Sequence, residues 1–166
     1  MDIINKLNKK GNVTMEDILY HGSKMIVSEP EIRKSRFTKD FSWGFYCTNN
    51  MKQAIRWANR GIGEPIINYY DCEPNEELKI LRFPEISDDW LDFIAQCRSG
   101  KTHTYDIVEG PMADDQVWDY VEDYVAGNIS KAAFWELVKF KYPTHKIVFC
   151  TEQALETISF EGSENL

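Results

Sequence analysis

At 166 residues, with 43% hydrophobic, 13% aromatic and 28% charged side chains, the chain has the size and composition of one globular domain, which excludes a disordered or multidomain protein. Its formal net charge of -8 excludes a general binder of nucleic acid or anionic membrane, because such binding relies on clustered Lys and Arg. The four scattered cysteines show no Cys-x-x-Cys and no matching histidine spacing, which excludes a zinc or disulfide framework, and no run of about eighteen apolar residues offers a membrane span.

Residues 1–17 read as a polar N-terminal arm that leads into a first strand ending near His21-Gly22-Ser23. The opening Met-Asp-Ile-Ile-Asn-Lys lacks the apolar core of a signal peptide, so a soluble cytoplasmic protein with free, mostly buried thiols is expected. Charges alternate over 28–40 as in a solvated loop, with Arg33, Lys34, Arg36 and Lys39 as local cations in an acidic chain. Residues 43–48 form an aromatic-rich strand, after which Asn49 caps a helix over 49–60. Met51, Ala54, Ile55 and Ala58 give that helix one apolar stripe, and Trp57 lies off its centre. Gly61-Ile62-Gly63 ends the helix, and 65–70 and 78–83 read as strands able to pair as a hairpin.

Ser87 opens an amphipathic helix carrying Trp90, Leu91, Phe93, Ile94 and Cys97, and a strand over 104–108 breaks at Gly110-Pro111. Helices follow over 114–126, presenting Val117, Tyr120, Val121, Tyr124 and Val125 on one face, and over 130–140, presenting Phe134, Leu137 and Val138. Residues 147–150 are apolar on both faces, as in a central strand; Thr151 caps one helical turn, and a last strand over 157–160 precedes an exposed tail, 161–166. Strands interspersed with helices without regular alternation favour an α+β fold, one domain over 18–160. Tyr20 and Phe45 are read as core.

Two glycine-flanked segments carry the candidate chemistry. His21-Gly22 and Gly44-Phe45-Tyr46 each set a polar or flat side chain beside a glycine, which lets a planar ligand approach the backbone, and Trp57 follows eleven residues after Tyr46. One imidazole and two aromatic rings suit a clamp for a nucleotide.

This constellation resembles the ADP-ribosyltransferase superfamily of the diphtheria-toxin and poly-ADP-ribose-polymerase type. The chain is also similar, from Ile18 to Phe160, to a family of small bacterial domains placed in that superfamily. The pieces that carry the likeness include Lys39-Asp40-Phe41, Gly44-Phe45-Tyr46-Cys47-Thr48, Gln53-Ala54, Trp57-Ala58, Trp90-Leu91-Asp92-Phe93, Tyr105-Asp106-Ile107-Val108, Gly110-Pro111, Ala113-Asp114-Asp115 and Phe149-Cys150-Thr151-Glu152. The resemblance implies split antiparallel sheets with flanking helices, NAD+ as substrate and no metal. It also implies a glycosyltransferase that moves ADP-ribose to a protein or nucleic-acid acceptor, as the toxin of a bacterial toxin-antitoxin or phage-defence pair with a small antitoxin partner. A non-catalytic NAD+ or ADP-ribose binding module and an NAD+ glycohydrolase are the alternatives.

On the same resemblance, His21 and Gly22 hold ribose and Gly44, Tyr46 and Trp57 enclose the nicotinamide, with Ser23 and Thr48 as further cofactor-binding candidates; the cations around Arg36 are read either as a solvated loop or as the contact for the pyrophosphate. The superfamily usually places a glutamate on a late core strand. The matching segment here is 144–149, where the position falls on His145 or Lys146. An ammonium about 4 Å from a ribosyl cation would cost on the order of 4 kcal/mol at an effective dielectric near 20, so His145 is the easier candidate. A carboxylate could come instead from Asp114, Asp115, Glu109 or Glu152.

Overall fold

A computed structural model describes residues 18–34, 40–73, 75, 77–113, 115–139 and 144–166, with only the backbone of Asp115. The expected arm and the candidates Arg36, Lys39 and Asp114 lie outside the described residues. In chain order the elements are β1 Ile18–Ser23, β2 Phe45–Cys47, α1 Met51–Asn59, β3 Ile66–Cys72, β4 Ile80–Arg82, α2 Asp88–Arg98, β5 Ile107–Met112, α3 Asp115–Val125, α4 Lys131–Val138, β6 Thr144–Phe149, α5 Glu152–Leu155 and β7 Ile158–Asn165. The fold of the described residues is α+β, built on a three-stranded sheet in the order β1-β3-β7 and a four-stranded sheet in the order β2-β6-β5-β4.

Helix starts follow from short polar side chains that satisfy the otherwise unpartnered first-turn N–H groups. Ser87 Oγ accepts from Trp90 N–H at 3.2 Å, Ser130 Oγ from Ala133 N–H at 3.1 Å and Thr151 Oγ1 from Ala154 N–H at 3.1 Å. For α1 the cap is Asn50, whose Oδ1 accepts from Gln53 N–H at 3.3 Å, and not the expected Asn49.

The strands at 65–70 and 78–83 do not form a hairpin. β3 is buried along nearly its whole length and therefore sits between β1 and β7, antiparallel to both. β4 is half exposed, lies at the edge of the other sheet and pairs in parallel with β5, with α2 as the crossover. Gly110-Pro111 does not break β5, because the ladder to β4 ends at Glu109. Beyond that point β5 is an edge on one side, where a proline without an N–H is tolerated. The expected tail is strand as well: β7 continues to Asn165 along β3.

Helices α2, α3 and α4 cover one face of the larger sheet, packing Trp90, Leu91, Ile94, Val117, Val121 and Phe134 over Val108 and Val148. Leu137 and Val125, expected on the same faces, are exposed instead. A second cluster lies between the sheets around Phe45, Tyr70 and Phe149, and α1 seats Ala54 and Ala58 on Ile67 and Tyr69. Among the described residues no helix is long and apolar enough to cross a membrane.

Candidate functional site

The two sheets touch where Tyr20 and Thr48 exchange backbone hydrogen bonds of 2.8 and 3.0 Å. Just past that bridge the sheets part, and β1 delivers His21 toward β2. A carbonyl can only accept, so His21 Nδ1–H is the donor to Tyr46 C=O at 2.7 Å, which fixes the tautomer and the ring plane. The imidazole also lies on the Phe45 ring, with centroids 4.5 Å apart. Phe45 is core, as expected, and Tyr20 is half-buried against Tyr69.

Gly22 is required by packing. A Cβ there would sit 2.1 Å from Ala54 O and 2.7 Å from Ala58 N, so only glycine lets α1 lie this close to β1. That approach carries Trp57 to the gap. Gly44 likewise has no room for a Cβ, which would fall 2.5 Å from Val148 Cγ1.

The outcome is a cleft of about 720 Å3 whose walls include His21, Gly22, Tyr46, Trp57, Trp118 and Lys146. The imidazole and both flat rings named by the sequence therefore share one hollow. Asp40 lies on its floor, and Arg60 and Asp119 are part of its lining.

Tyr46 presents its ring and not its hydroxyl. The hydroxyl accepts from Phe41 N–H at 3.3 Å and donates to Ser42 C=O, a residue held at φ 70° in the turn before β2. Burial first, and then the nearby Asp40 carboxylate, push the phenol well above its ordinary range, so it stays neutral.

Below the ring is a buried ionic cluster. The Asp40 carboxylate, 3% exposed, bridges the Lys146 ammonium and the Arg98 guanidinium. Burial alone would raise the Asp40 pKa, but the two cations and their hydrogen bonds outweigh it and hold the group below its usual range. Lys146 Nζ stands 4.5 Å from the Phe41 ring centre and 5.6 Å from that of Tyr46. Arg98, at the end of α2, lies over Trp118.

His145 and Lys146 are neighbours on β6 and so project to opposite faces. Lys146 faces the cleft; His145 does not, contrary to expectation. Its Nε2–H donates to Glu109 at 2.9 Å, lowering the Glu109 pKa, and its side chain lines a separate cavity of about 760 Å3 with Phe83, Pro111 and Trp135. Glu109 is thereby committed to His145 and Arg82, and Glu152 starts α5; neither lines the cleft.

Thr48 is fully buried, with Oγ1 donating to His145 C=O at 2.9 Å and accepting from Asn50 N–H at 3.0 Å, so it joins sheet to helix and does not reach the cleft. Ser23 Oγ accepts from Met25 N–H in the turn after β1 and is outside the lining too. Gly44 serves β2 packing, and the backbone of Asp115 opens α3.

A family model described as "Protein of unknown function (DUF3990)" matches residues 17–160. The chain belongs to this family. None of the curated proteins compared with it matches.

In this DUF3990 chain the cleft-lining residues that sequence reasoning left without a role include Asp40, Arg60, Trp118 and Asp119, and Arg98 reaches them through its pairing with Asp40. Asp40 was within reach, since it stands inside the Lys39-Asp40-Phe41 segment. The thiols offer no competing nucleophile. Cys150 Sγ lies 3.9 Å from His103 Nε2, yet burial pushes its pKa up to about 12.

Proposed function

We propose that the chain is an NAD+-dependent mono-ADP-ribosyltransferase acting on a macromolecular acceptor, within an ADP-ribosyltransferase-like fold. The observation that carries this reading is the convergence of His21, Tyr46 and Trp57 on one cleft of about 720 Å3, the order of size for a nucleotide. Cleaving the nicotinamide bond forms a ribosyl cation, as in glycoside hydrolysis, but the leaving group is already cationic and needs no general acid. What remains for the protein is orientation and electrostatics.

The cleft supports those tasks. Tyr46, its hydroxyl tied to the backbone, offers a fixed ring for stacking, and Trp57 on α1 offers a second from across the gap. His21 is held by its bond to the Tyr46 carbonyl at the point where a ribose would lie, and the glycine next to it brings the strand backbone within reach. The acceptor as protein or nucleic acid, the role of toxin and a small antitoxin partner follow from resemblance alone and belong to the same proposal, as does action in the cytoplasm.

One observation favours a second reading, a non-catalytic NAD+ or ADP-ribose module. The late strand offers Lys146 in place of an acid, and both oxygens of the one buried carboxylate on the cleft floor are taken by cations. Incubation with NAD+ labelled in the adenylate, followed for nicotinamide release and for label on host macromolecules, separates the cases. Release with labelling supports transfer, release without it indicates a glycohydrolase, and binding without release indicates the module. Neither binding nor release would refute all three.

A further inference from the structure

The cleft holds more flat surface than a nicotinamide ring can use, which bears on where the other half of a dinucleotide sits, an inference that rests on the proposed function. A planar ring has two faces. With Tyr46 and Trp57 on the faces of the nicotinamide, Trp118, which lines the same cleft, has no nicotinamide face left to meet. The two indoles stand on different parts of the fold. Trp57 belongs to α1, which packs Ala54 and Ala58 on the smaller sheet, whereas Trp118 belongs to α3, whose Val117 and Val121 pack with Val108 and Val148 of the larger one.

Trp118 is also held in place by the fold itself. Its neighbour Val117 is fully buried, and the Arg98 guanidinium lies over the indole, 3.1 Å from the ring centre. Arg98 is tied in turn to Asp40, its side chain is 5% exposed, and it is not part of the cleft lining, so it covers a part of the indole turned away from the hollow. Half-buried, Trp118 leaves the rest of its ring to the cleft. A side chain already ordered in the folded chain loses little entropy when a base stacks on it.

We propose that Trp118 is the stacking platform for the adenine of the dinucleotide, a specificity-determining residue that makes the cleft select NAD+ over a mononucleotide carrying the same nicotinamide. Stacking suits this end of the ligand because it needs only a π face and no dedicated hydrogen-bond partner; losing one base–aromatic contact costs affinity on the order of tenfold. The two bases of a dinucleotide are joined through riboses and a diphosphate with many rotatable bonds, so they can reach walls built on different sheets.

The test compares NAD+, nicotinamide mononucleotide, which lacks the adenylate, and ADP-ribose, which lacks the nicotinamide, by calorimetric titration of the full chain. Wild type should bind NAD+ about tenfold more tightly than the mononucleotide. Trp118→Leu, which keeps apolar bulk over Arg98 but has no π face, should weaken NAD+ and ADP-ribose about tenfold and leave the mononucleotide within about twofold. Trp118→Phe should restore most of the loss, and Trp57→Ala should weaken NAD+ and the mononucleotide alike while sparing ADP-ribose. Equal wild-type affinity for NAD+ and the mononucleotide, a Trp118→Leu loss as large for the mononucleotide as for NAD+, or no loss for NAD+ would overturn the inference while leaving the nucleotide cleft standing. The wild-type comparison decides even if Trp118→Leu fails to fold. Binding of none of the three ligands would remove the cleft assignment and this inference with it.

Discussion

Replacing Asp40 by Asn tests the ionic floor of the cleft. The substitution keeps shape and volume but leaves the Lys146 ammonium and the Arg98 guanidinium buried around a neutral amide. Lys146 and Asp40 are 2% and 3% exposed, so water cannot replace the lost charge. Breaking a buried pair from one side costs roughly 3 to 5 kcal/mol, and here two cations lose their common partner. For a domain of this size each kcal/mol lowers the melting temperature by about 2 to 4 °C, so a fall of roughly 10 °C is expected at pH 7. The pH dependence carries a sign. Asp40 is held below its unfolded value, so its contribution is present above about pH 4 and fades as pH falls through the lower folded value. The gap between wild type and Asp40→Asn, measured by urea unfolding with equal slopes, should be constant from pH 5 to 8 and shrink below about pH 4. A gap under about 1 kcal/mol at pH 7, or one that widens on acidification, would refute the bridging role.

Gly22→Ala must push β1 and α1 apart, because its new methyl meets the Ala54 carbonyl and not a flexible side chain; a loss of about 3 kcal/mol in urea unfolding and a parallel loss of NAD+ binding are expected. Tyr46→Phe removes a hydroxyl bonded to the backbone of Phe41 and Ser42 but keeps the ring, so stability should drop by about 1 to 3 kcal/mol while NAD+ affinity changes little. Trp57→Ala should do the reverse, weakening NAD+ binding about tenfold with a small thermal shift, since the ring is only half-buried at the cleft wall. His145→Ala breaks a partly exposed pair with Glu109 outside the cleft, so a change of about 1 kcal/mol in stability and unaltered NAD+ affinity are expected by calorimetry.

Much of the α+β layout was legible because helix starts and apolar stripes are local. Ser87 and Thr151 act as caps where the sequence suggested, and the stripe on α1 is the face that packs. Pairing between distant strands was not. The apolar runs at β3 and β4 look alike in sequence, and what separates them is that one is buried on both faces and the other is an edge, a property of the assembled sheets. Gly110-Pro111 misled for the same reason, as proline breaks a strand only where a neighbour needs its N–H. At the site, spacing and glycine placement brought out His21, Tyr46 and Trp57. Alternation along β6 then sent His145 to one face and Lys146 to the other, and one-residue ambiguity in register is enough to exchange them. Arg98, distant in sequence from Asp40, could be joined to it only by the packing of α2.

The most direct test of the central claim uses the tryptophan indole N–H signals, which sample both cavities. Trp57 and Trp118 line the cleft with His21 and Tyr46, whereas Trp135 lines the cavity of His145. Titrating NAD+ into 15N-labelled protein should shift the Trp57 and Trp118 signals saturably and leave Trp135 in place. Movement of Trp135 alone, or no movement at any indole at millimolar NAD+, would contradict the account.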